Sequence, residues 1–204
     1  KSFNQQTRSF LQIQNGCDHR CTFCIIPFGR GNSRSVTVES IIKNIKEALK
    51  NNIQEIVLTG VDLTSWGRDF NKKKSLGFLL KSIFRSVPDI PRIRVSSLDP
   101  AEIDHEFMDV LANEERLLPH LHLSLQHGDD LILKRMKRRH LYRDAINFIY
   151  EAKRRRPDVV FGADFISGFP TESEEAHKNT IKLIHESDIK YAHIFPFSPR
   201  KGTP

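Results

Sequence analysis

Cys17, Cys21 and Cys24 are the only cysteines among 204 residues, and all three fall in the stretch "NGCDHRCTFCIIPFGRG". Thiolates are soft ligands that select iron–sulfur clusters, zinc or copper(I). An odd, tightly grouped set argues against a disulfide framework and for a metal in a reducing compartment. Structural zinc wants four ligands. His19 is the candidate fourth, but wrapping all four groups around one ion strains so short a loop. A redox or catalytic pair at Cys21 and Cys24 leaves Cys17 unexplained. A [4Fe–4S] cluster uses all three thiolates and leaves its fourth iron without a protein ligand. An electron-carrying ferredoxin ligates every iron with cysteine, so the C-x3-C-x2-C spacing points to a cluster with one position kept for chemistry.

Such a loop needs a scaffold that opens it to a ligand. The chain alternates strand and helix signals. "SFLQIQ" (Ser9 to Gln14) reads as a first strand, ending just before the cysteines, and "VESIIKNIKEALK" as an amphipathic helix. "EIVLTG" (Glu55 to Gly60), "RIRVSS" (Arg92 to Ser97), "HLHLSLQ" (His120 to Gln126), "VVFGADFISG" (Val159 to Gly168) and "YAHIFPFS" (Tyr191 to Ser198) read as five more strands. Helices fill the intervals. Asp99, Pro100 and Glu102 read as the start of one, with Asp99 as cap, and Thr171 with Glu174 as the capping box of another. Strands alternating with helices imply right-handed βαβ units in a parallel sheet. The periodicity fits either a doubly wound sheet or an open, curved partial barrel. In both, ligands belong at the carboxyl ends of the strands. There the cysteines are joined by Gly60, Val61 and Asp62, by Ser96, Ser97 and Asp99, by Gln126, and by Asp164, Ser167 and Gly168.

The composition, 38% hydrophobic and 28% charged, reads as a soluble globular protein, and no apolar run approaches a membrane span. No secretory signal opens the chain, so a cytoplasmic location is expected. The net charge is +7, concentrated in "LKRMKRRH" (Leu133 to His140) and "KRRR" (Lys153 to Arg156). Such runs suit nucleic-acid phosphates or are simply solvated helix faces. His120 and His122 read as packed or hydrogen-bonded core residues and His127 as a group at the pocket or its rim. His177, His185 and His193 carry no motif.

The cysteine motif, with Phe23 before its last cysteine, resembles the signature of the radical SAM superfamily. The ordered stretches "GCDHRCTFCIIPFGRGNSRS", "LTGVDLTSWG", "RVSSLDP", "HLHLSLQHGDDLILKRMKRRH", "GADFISGFPTE" and "FPFSPRKGTP" resemble the methylthiotransferases. They are most similar to the branch acting on N6-threonylcarbamoyladenosine beside the tRNA anticodon. The resemblance implies an α/β fold, the open (βα)6 partial TIM barrel, a [4Fe–4S] cluster on Cys17, Cys21 and Cys24, and S-adenosylmethionine (SAM) on the open iron. It implies that a 5′-deoxyadenosyl radical takes hydrogen from C2 of the adenosine, at position 37, which becomes the 2-methylthio derivative. An electron donor such as flavodoxin or ferredoxin is implied with it. By position, Phe23 would lie by the adenine and Gly60, Val61 and Asp62 would form the glycine motif at the SAM amino group. Ser97 and Gln126 would reach the ribose or carboxylate, Arg138 would pair with the carboxylate, and Asp164 would lie near the ribose. Arg30, Arg34 and Lys137 would meet tRNA phosphate.

Residues 1–204 read as the radical SAM core of something longer, without the family's amino-terminal methylthiotransferase domain or its carboxy-terminal RNA-binding domain. A second cluster is expected only in that amino-terminal domain. The alternatives are a sibling acting on isopentenyladenosine in tRNA or on a ribosomal-protein aspartate, and, in another class, a non-catalytic iron–sulfur or zinc module that binds RNA.

Overall fold

The structure is a computed structural model that describes residues 7–203. In chain order its first half comprises β1 (Arg8–Gln12), β2 (Gln14–Asn15), α1 (Ile26–Arg30), β3 (Arg34–Ser35), α2 (Val38–Lys50), β4 (Glu55–Thr59), α3 (Leu76–Ser86) and β5 (Ile93–Val95). The second half comprises α4 (His105–Asn113), β6 (His120–Gln126), α5 (Asp130–Arg135), α6 (Tyr142–Arg155), β7 (Val160–Ser167), α7 (Glu174–Glu186) and β8 (Ile189–Pro196).

β1, β4 and β5 pair in parallel in that order, as do β6, β7 and β8. Parallel bridges at Ile93–Leu117 and Leu98–Leu123 join the two sets. Six strands therefore stand side by side in the order in which the chain makes them. A doubly wound sheet reverses its strand order at a switch point, and this one does not. No pairing between β8 and β1 closes the ring among the described residues. The outcome is the open six-stranded partial barrel.

Period-two alternation explains which side of the sheet is filled. On β6, Leu121, Leu123 and Leu125 are fully buried, while His120, His122, Ser124 and Gln126 face the other way. The buried set joins Leu58, Val95, Phe161 and Phe165 from neighbouring strands and Ile41, Ile45, Leu79, Leu80, Ile83, Phe107 and Leu111 from the helices in one core. Burial of this apolar area, at about 25 cal/mol per Å², is what holds helices to the sheet. The polar set lines the concave face.

Three element boundaries differ from the sequence reading. The first strand is broken: β1 ends at Gln12 and Gln14 starts the short β2, which pairs antiparallel with β3. Asp99 caps only a 3-10 turn (Pro100–Glu102), accepting from the Ala101 amide, and Glu102 turns away to meet Arg68. The helix proper starts later, at α4, because Asp104 supplies a better cap. The cap of α7 is Ser173, whose hydroxyl accepts from Ala176 N, and not Thr171, which sits in a turn with φ +71°.

Asp104 serves two helices. Oδ1 accepts from Phe107 N at 3.0 Å within α4, and Oδ2 accepts from Gly77 N at 3.1 Å in the first turn of α3. Both helix starts thus place unpaired amide donors on one carboxylate. Asp104→Ala is expected to lower the unfolding free energy by about 2 kcal/mol, read from urea unfolding. A loss no larger than that at an exposed surface aspartate would contradict the double cap.

Candidate functional site

The cysteine loop leaves and re-enters the barrel through one neck. The β2–β3 clasp pairs Gln14 with Ser35 and Asn15 with Arg34. Cys17 N donates to Gly31 O at 3.0 Å, and Asp18 Oδ1 accepts from Ser33 N at 3.0 Å. Gly16 turns the chain at φ +74°, where a Cβ would lie 2.0 Å from the Asn32 carbonyl oxygen, so only glycine fits. The far side of the loop is tied to the end of α5. Thr22 donates through N to Met136 O (3.2 Å) and through Oγ1 to Arg135 O (2.9 Å).

Gln14 organises this neck. Its side chain is fully buried. Oε1 accepts from both Val61 N and Asp62 N at 2.9 Å, while Nε2 donates to Gly16 O (2.7 Å) and Ser33 Oγ (2.9 Å). The turn after β4 is thereby fixed against the cysteine loop. Gly60 lies under this amide, with space for a Cβ only 3.0 Å from Gln14 Oε1.

A cleft of about 170 Å³ opens where these pieces meet. Cys17, Cys21 and Cys24 border it with Phe23, Val61, Asp62, Ser97, Gln126 and Arg138. Nine of the eleven sequence candidates therefore come together, the three cysteines among them, while Gly60 and Asp164 do not border the cleft. Phe23 also packs on a small apolar cluster of Ile132, Met136, Phe169 and Ala176. Asp164 is elsewhere: it sits in the middle of β7, not at its end, and bonds to His122 Nε2 at 2.8 Å and His193 Nδ1 at 3.2 Å. The sequence placed it at the mouth because strand five was given no internal register. His127 neither lines the cleft nor its rim. It is fully buried, its Nδ1 accepting from Asp129 N at 3.0 Å and its Nε2 3.2 Å from Glu172 Oε1.

The donor set discriminates between metals. Cys17, His19 and Asp62 offer ligand atoms within 4.8 Å of one another, but the three cysteine sulfurs do not converge that closely. One tetrahedral zinc would hold its sulfurs about 3.8 Å apart, from Zn–S bonds near 2.3 Å. The wider spacing suits a cluster whose irons each take one thiolate. His19 is engaged by carboxylates, 2.9 Å from Asp62 Oδ2 and 3.6 Å from Glu102 Oε2. It does not complete a three-cysteine zinc site. One charged side chain bordering the cleft keeps an unpaired donor. Arg138 Nε is buried with no hydrogen-bond partner among the described residues.

Arg138 reaches the cleft because Lys137 adopts φ +56° after α5 and turns the chain inward. Its Nη2 donates to Asp99 Oδ2 (2.8 Å) and Ser124 O (2.7 Å), and Nη1 lies 3.7 Å from Cys21 Sγ. Arg139 adds a second bond to Asp99 Oδ2 at 2.6 Å and also meets Glu102. Burial would raise the Asp99 carboxyl, but His140, Arg138 and Arg139 outweigh it and hold it far below the usual range. Glu102 is likewise opposed by burial yet pulled down to about 2 by His19, Arg139 and Arg68. Burial alone would lower His19, and Asp62 and Glu102 instead push it up to about 9. Burial, then the Asp62 charge, push the Cys17 thiol up to about 12 against a bond from His19 N. Burial also raises Cys24. Sequence reasoning missed Gln14, Asp99 as the anchor of Arg138, Glu102 and Arg139. The adjacency of Arg138 and Arg139 to an inward-facing turn was the only signal for the last.

The "KRRR" run turns out to be spoken for. Arg154 and Arg155 bond to Glu151, Arg155 also approaches Asp109, Lys153 meets Asp188, and Arg156 donates to the Leu111 and Glu114 carbonyls. It is a neutralised helix end and not a phosphate-binding face.

Residues 11–184 match the family model described as "Radical SAM superfamily". The whole chain is 48% identical over 203 residues to the Threonylcarbamoyladenosine tRNA methylthiotransferase MtaB of Rickettsia prowazekii, and spans 48% of that protein. It is 38% identical over 202 residues to a tRNA-2-methylthio-N(6)-dimethylallyladenosine synthase of Ehrlichia canis, covering 98% of this chain and 46% of that one. The chain thus spans about half the length of the curated relatives it matches. Among solved structures it resembles the radical S-adenosylmethionine methyltransferase TsrM from Kitasatospora setae, with TM-score 0.75, 16% identity, and coverage of 94% of this chain and 36% of that one. It also resembles methylornithine synthase, with TM-score 0.65, 16% identity, and coverage of 97% and 55%.

A thiol held protonated reacts slowly with electrophiles, because the thiolate is the nucleophile. In metal-free folded protein at pH 8, Cys17 is expected to alkylate at least about tenfold more slowly than in the urea-unfolded chain, by the size of its upward displacement. The rate should climb as pH rises toward the raised value. Equal folded and unfolded rates, measured by peptide mass spectrometry, would contradict the burial of this thiol.

Proposed function

The chain belongs to the radical SAM superfamily, and from that premise we propose that it is the catalytic core of a tRNA methylthiotransferase acting on N6-threonylcarbamoyladenosine at position 37. Membership of the superfamily implies SAM and a [4Fe–4S] cluster as cofactors. The observation that carries the substrate is the 48% identity, across this chain, to the Rickettsia enzyme. The reading joins it to a three-cysteine loop at the carboxyl ends of six parallel strands.

The residues present fit the cofactors. Cys17, Cys21 and Cys24 would hold the cluster, since their sulfurs are spaced too widely for one ion. Arg138 borders the cleft, and its guanidinium suits the carboxylate of SAM. When bound, the reduced cluster and SAM supply the 5′-deoxyadenosyl radical that abstracts hydrogen from C2 of the base. The chain's own part is to bind, orient and shield. Phe23 offers an apolar face to the adenine, and Ser97 and Gln126 offer polar groups to the ribose. In the turn of Gly60, Val61 and Asp62, Gln14 takes the last two amides and His19 and Ser65 engage the Asp62 carboxylate, which leaves the backbone carbonyls to face an ammonium. Asp164 is withdrawn from this set by its two histidine partners.

The partners follow from the same reading: the anticodon loop of tRNA, and a flavodoxin or ferredoxin as electron donor. The sulfur that is transferred would come from a second cluster in a segment outside residues 1–204, and a cytoplasmic location fits a tRNA substrate. No helix among the described residues is long and apolar enough to cross a membrane. The 38% identity to the Ehrlichia enzyme favours a second reading, in which the base carries a dimethylallyl group.

Mass spectrometry of tRNA nucleosides from a strain lacking the gene separates the two. Loss of 2-methylthio-N6-threonylcarbamoyladenosine, with accumulation of its unthiolated precursor, is expected. Loss of the 2-methylthio dimethylallyl nucleoside instead would replace the first reading with the second. Complementation with a Cys21→Ser variant should leave the precursor unconverted and the protein with the iron of one cluster fewer. Conversion by that variant would refute the ligand assignment.

A further inference from the structure

His122, Asp164 and His193 come together on the concave face of the barrel, apart from the cysteine cleft. His122 precedes Ser124 by two residues on β6, which sets it about 7 Å down the strand from that cleft-lining position. Asp164 stands on the neighbouring β7 and His193 on β8, where they are direct register partners. His122 Nε2 and His193 Nδ1 lie 2.8 Å and 3.2 Å from the same oxygen, Asp164 Oδ1. The three ligand atoms fall within 4.8 Å of one another. The two imidazoles lie side by side, centroids 4.9 Å apart and planes tilted by 37°.

Two features mark this as a prepared arrangement. Gly162 lies under the His122 ring, and a Cβ there would approach Nδ1 to 2.7 Å. Any side chain at 162 would push the imidazole away from Asp164. An open cavity of about 560 Å³ adjoins the histidines and is lined by Arg94, His120 and Tyr191 among others. Arg94 is the one fixed cation there, and its Nε donates to Glu55 at 2.7 Å, which offsets its charge.

The geometry points to a divalent-metal site formed by His122 Nε2, His193 Nδ1 and the Asp164 carboxylate, taking a borderline first-row ion such as Zn²⁺. Two imidazoles and a carboxylate with open positions are the donor set such ions take. Bonds of about 2.0–2.2 Å put tetrahedral neighbours about 3.3–3.6 Å apart, so the two imidazole nitrogens, at 2.8 Å and 3.2 Å from Asp164 Oδ1, need to move outward by about half an ångström. The remaining coordination positions face the cavity, where water completes the shell. The site is separate from the cluster and independent of the tRNA reading. It uses none of the residues that border the cysteines.

The test uses the full-length protein with its clusters reconstituted anaerobically, so that the cysteines are occupied. After equilibrium dialysis against micromolar Zn²⁺, zinc and iron are counted together by plasma mass spectrometry. The wild type is expected to hold one zinc per chain. His193→Ala and Asp164→Asn are each expected to weaken that binding at least tenfold while iron content stays unchanged. His193 is largely exposed, so its removal leaves the core intact and decides the matter should Asp164→Asn disturb folding. Zinc absent from the wild type, or retained at full affinity in His193→Ala, overturns the site and reduces the trio to a hydrogen-bonded pair of histidines on one carboxylate. Neither result bears on the cluster or on thiolation of tRNA.

Discussion

The side chain of Gln14 is shared by the two segments that must face each other across the cleft. Its oxygen takes both amides of the turn after β4, and its nitrogen supplies both the start and the end of the cysteine loop. Only a carboxamide offers two acceptor and two donor directions at one position. Glutamate would lose the donors, and leucine would strand four buried polar groups at about 1–3 kcal/mol each. The separation between Cys17 and Asp62 therefore follows from one buried amide at a break in the first strand. That break has a structural purpose: had β1 continued without Ile13 intervening, Gln14 would have no antiparallel partner and the loop no closed neck.

Charge is the second constraint. Asp62, Asp99 and Glu102 are buried beside a loop that must carry thiolates. Unpaired, those carboxylates would oppose any anionic ligand. Arg138, Arg139, Arg68 and His19 offset them. Breaking a buried pair by removing one partner leaves an uncompensated charge and costs about 3–5 kcal/mol. The arginines thus have a double effect. They keep Asp99 and Glu102 ionised and fixed, and those carboxylates in return hold Arg138 in the cleft with its Nε still unsatisfied. Burial, with the Asp62 charge beside it, keeps the Cys17 proton in place.

The six strands and their parallel, sequential arrangement were legible because each strand alternates cleanly and each interval is long enough for a helix. The cysteine spacing pointed to the superfamily for the same reason: the three thiols lie within eight residues of the chain. What depended on register was not legible. Asp164 reads as a strand-end residue until the pairing of β7 with β8 sets it opposite His193. Asp99 reads as a helix cap because Pro100 and Glu102 follow it, yet burial beside two arginines makes it an ion-pair anchor and hands the capping to Asp104. Gln14 carries no motif at all. Its importance arises from contacts 47 and 48 residues away, which no local pattern encodes. Arg138 shows the limit from the other side, since one arginine of a basic run faces inward only because Lys137 reverses the chain.

The same inward turn redistributes the charge that composition reports as +7. Of the two basic runs, "KRRR" is consumed by Glu151, Asp109 and Asp188, and Arg138 and Arg139 are consumed by Asp99 and Glu102. The cations without a carboxylate partner among the described residues include Arg20, Arg30 and Arg34 on the cysteine loop and Lys134, Arg135 and Lys137 on the segment to which Thr22 is tied. All six are exposed. A polyanion is attracted to where uncompensated charge lies, not to where lysine and arginine are most numerous. Uncompensated positive charge therefore lies on the cysteine loop and on the segment tied to it rather than on the "KRRR" helix end.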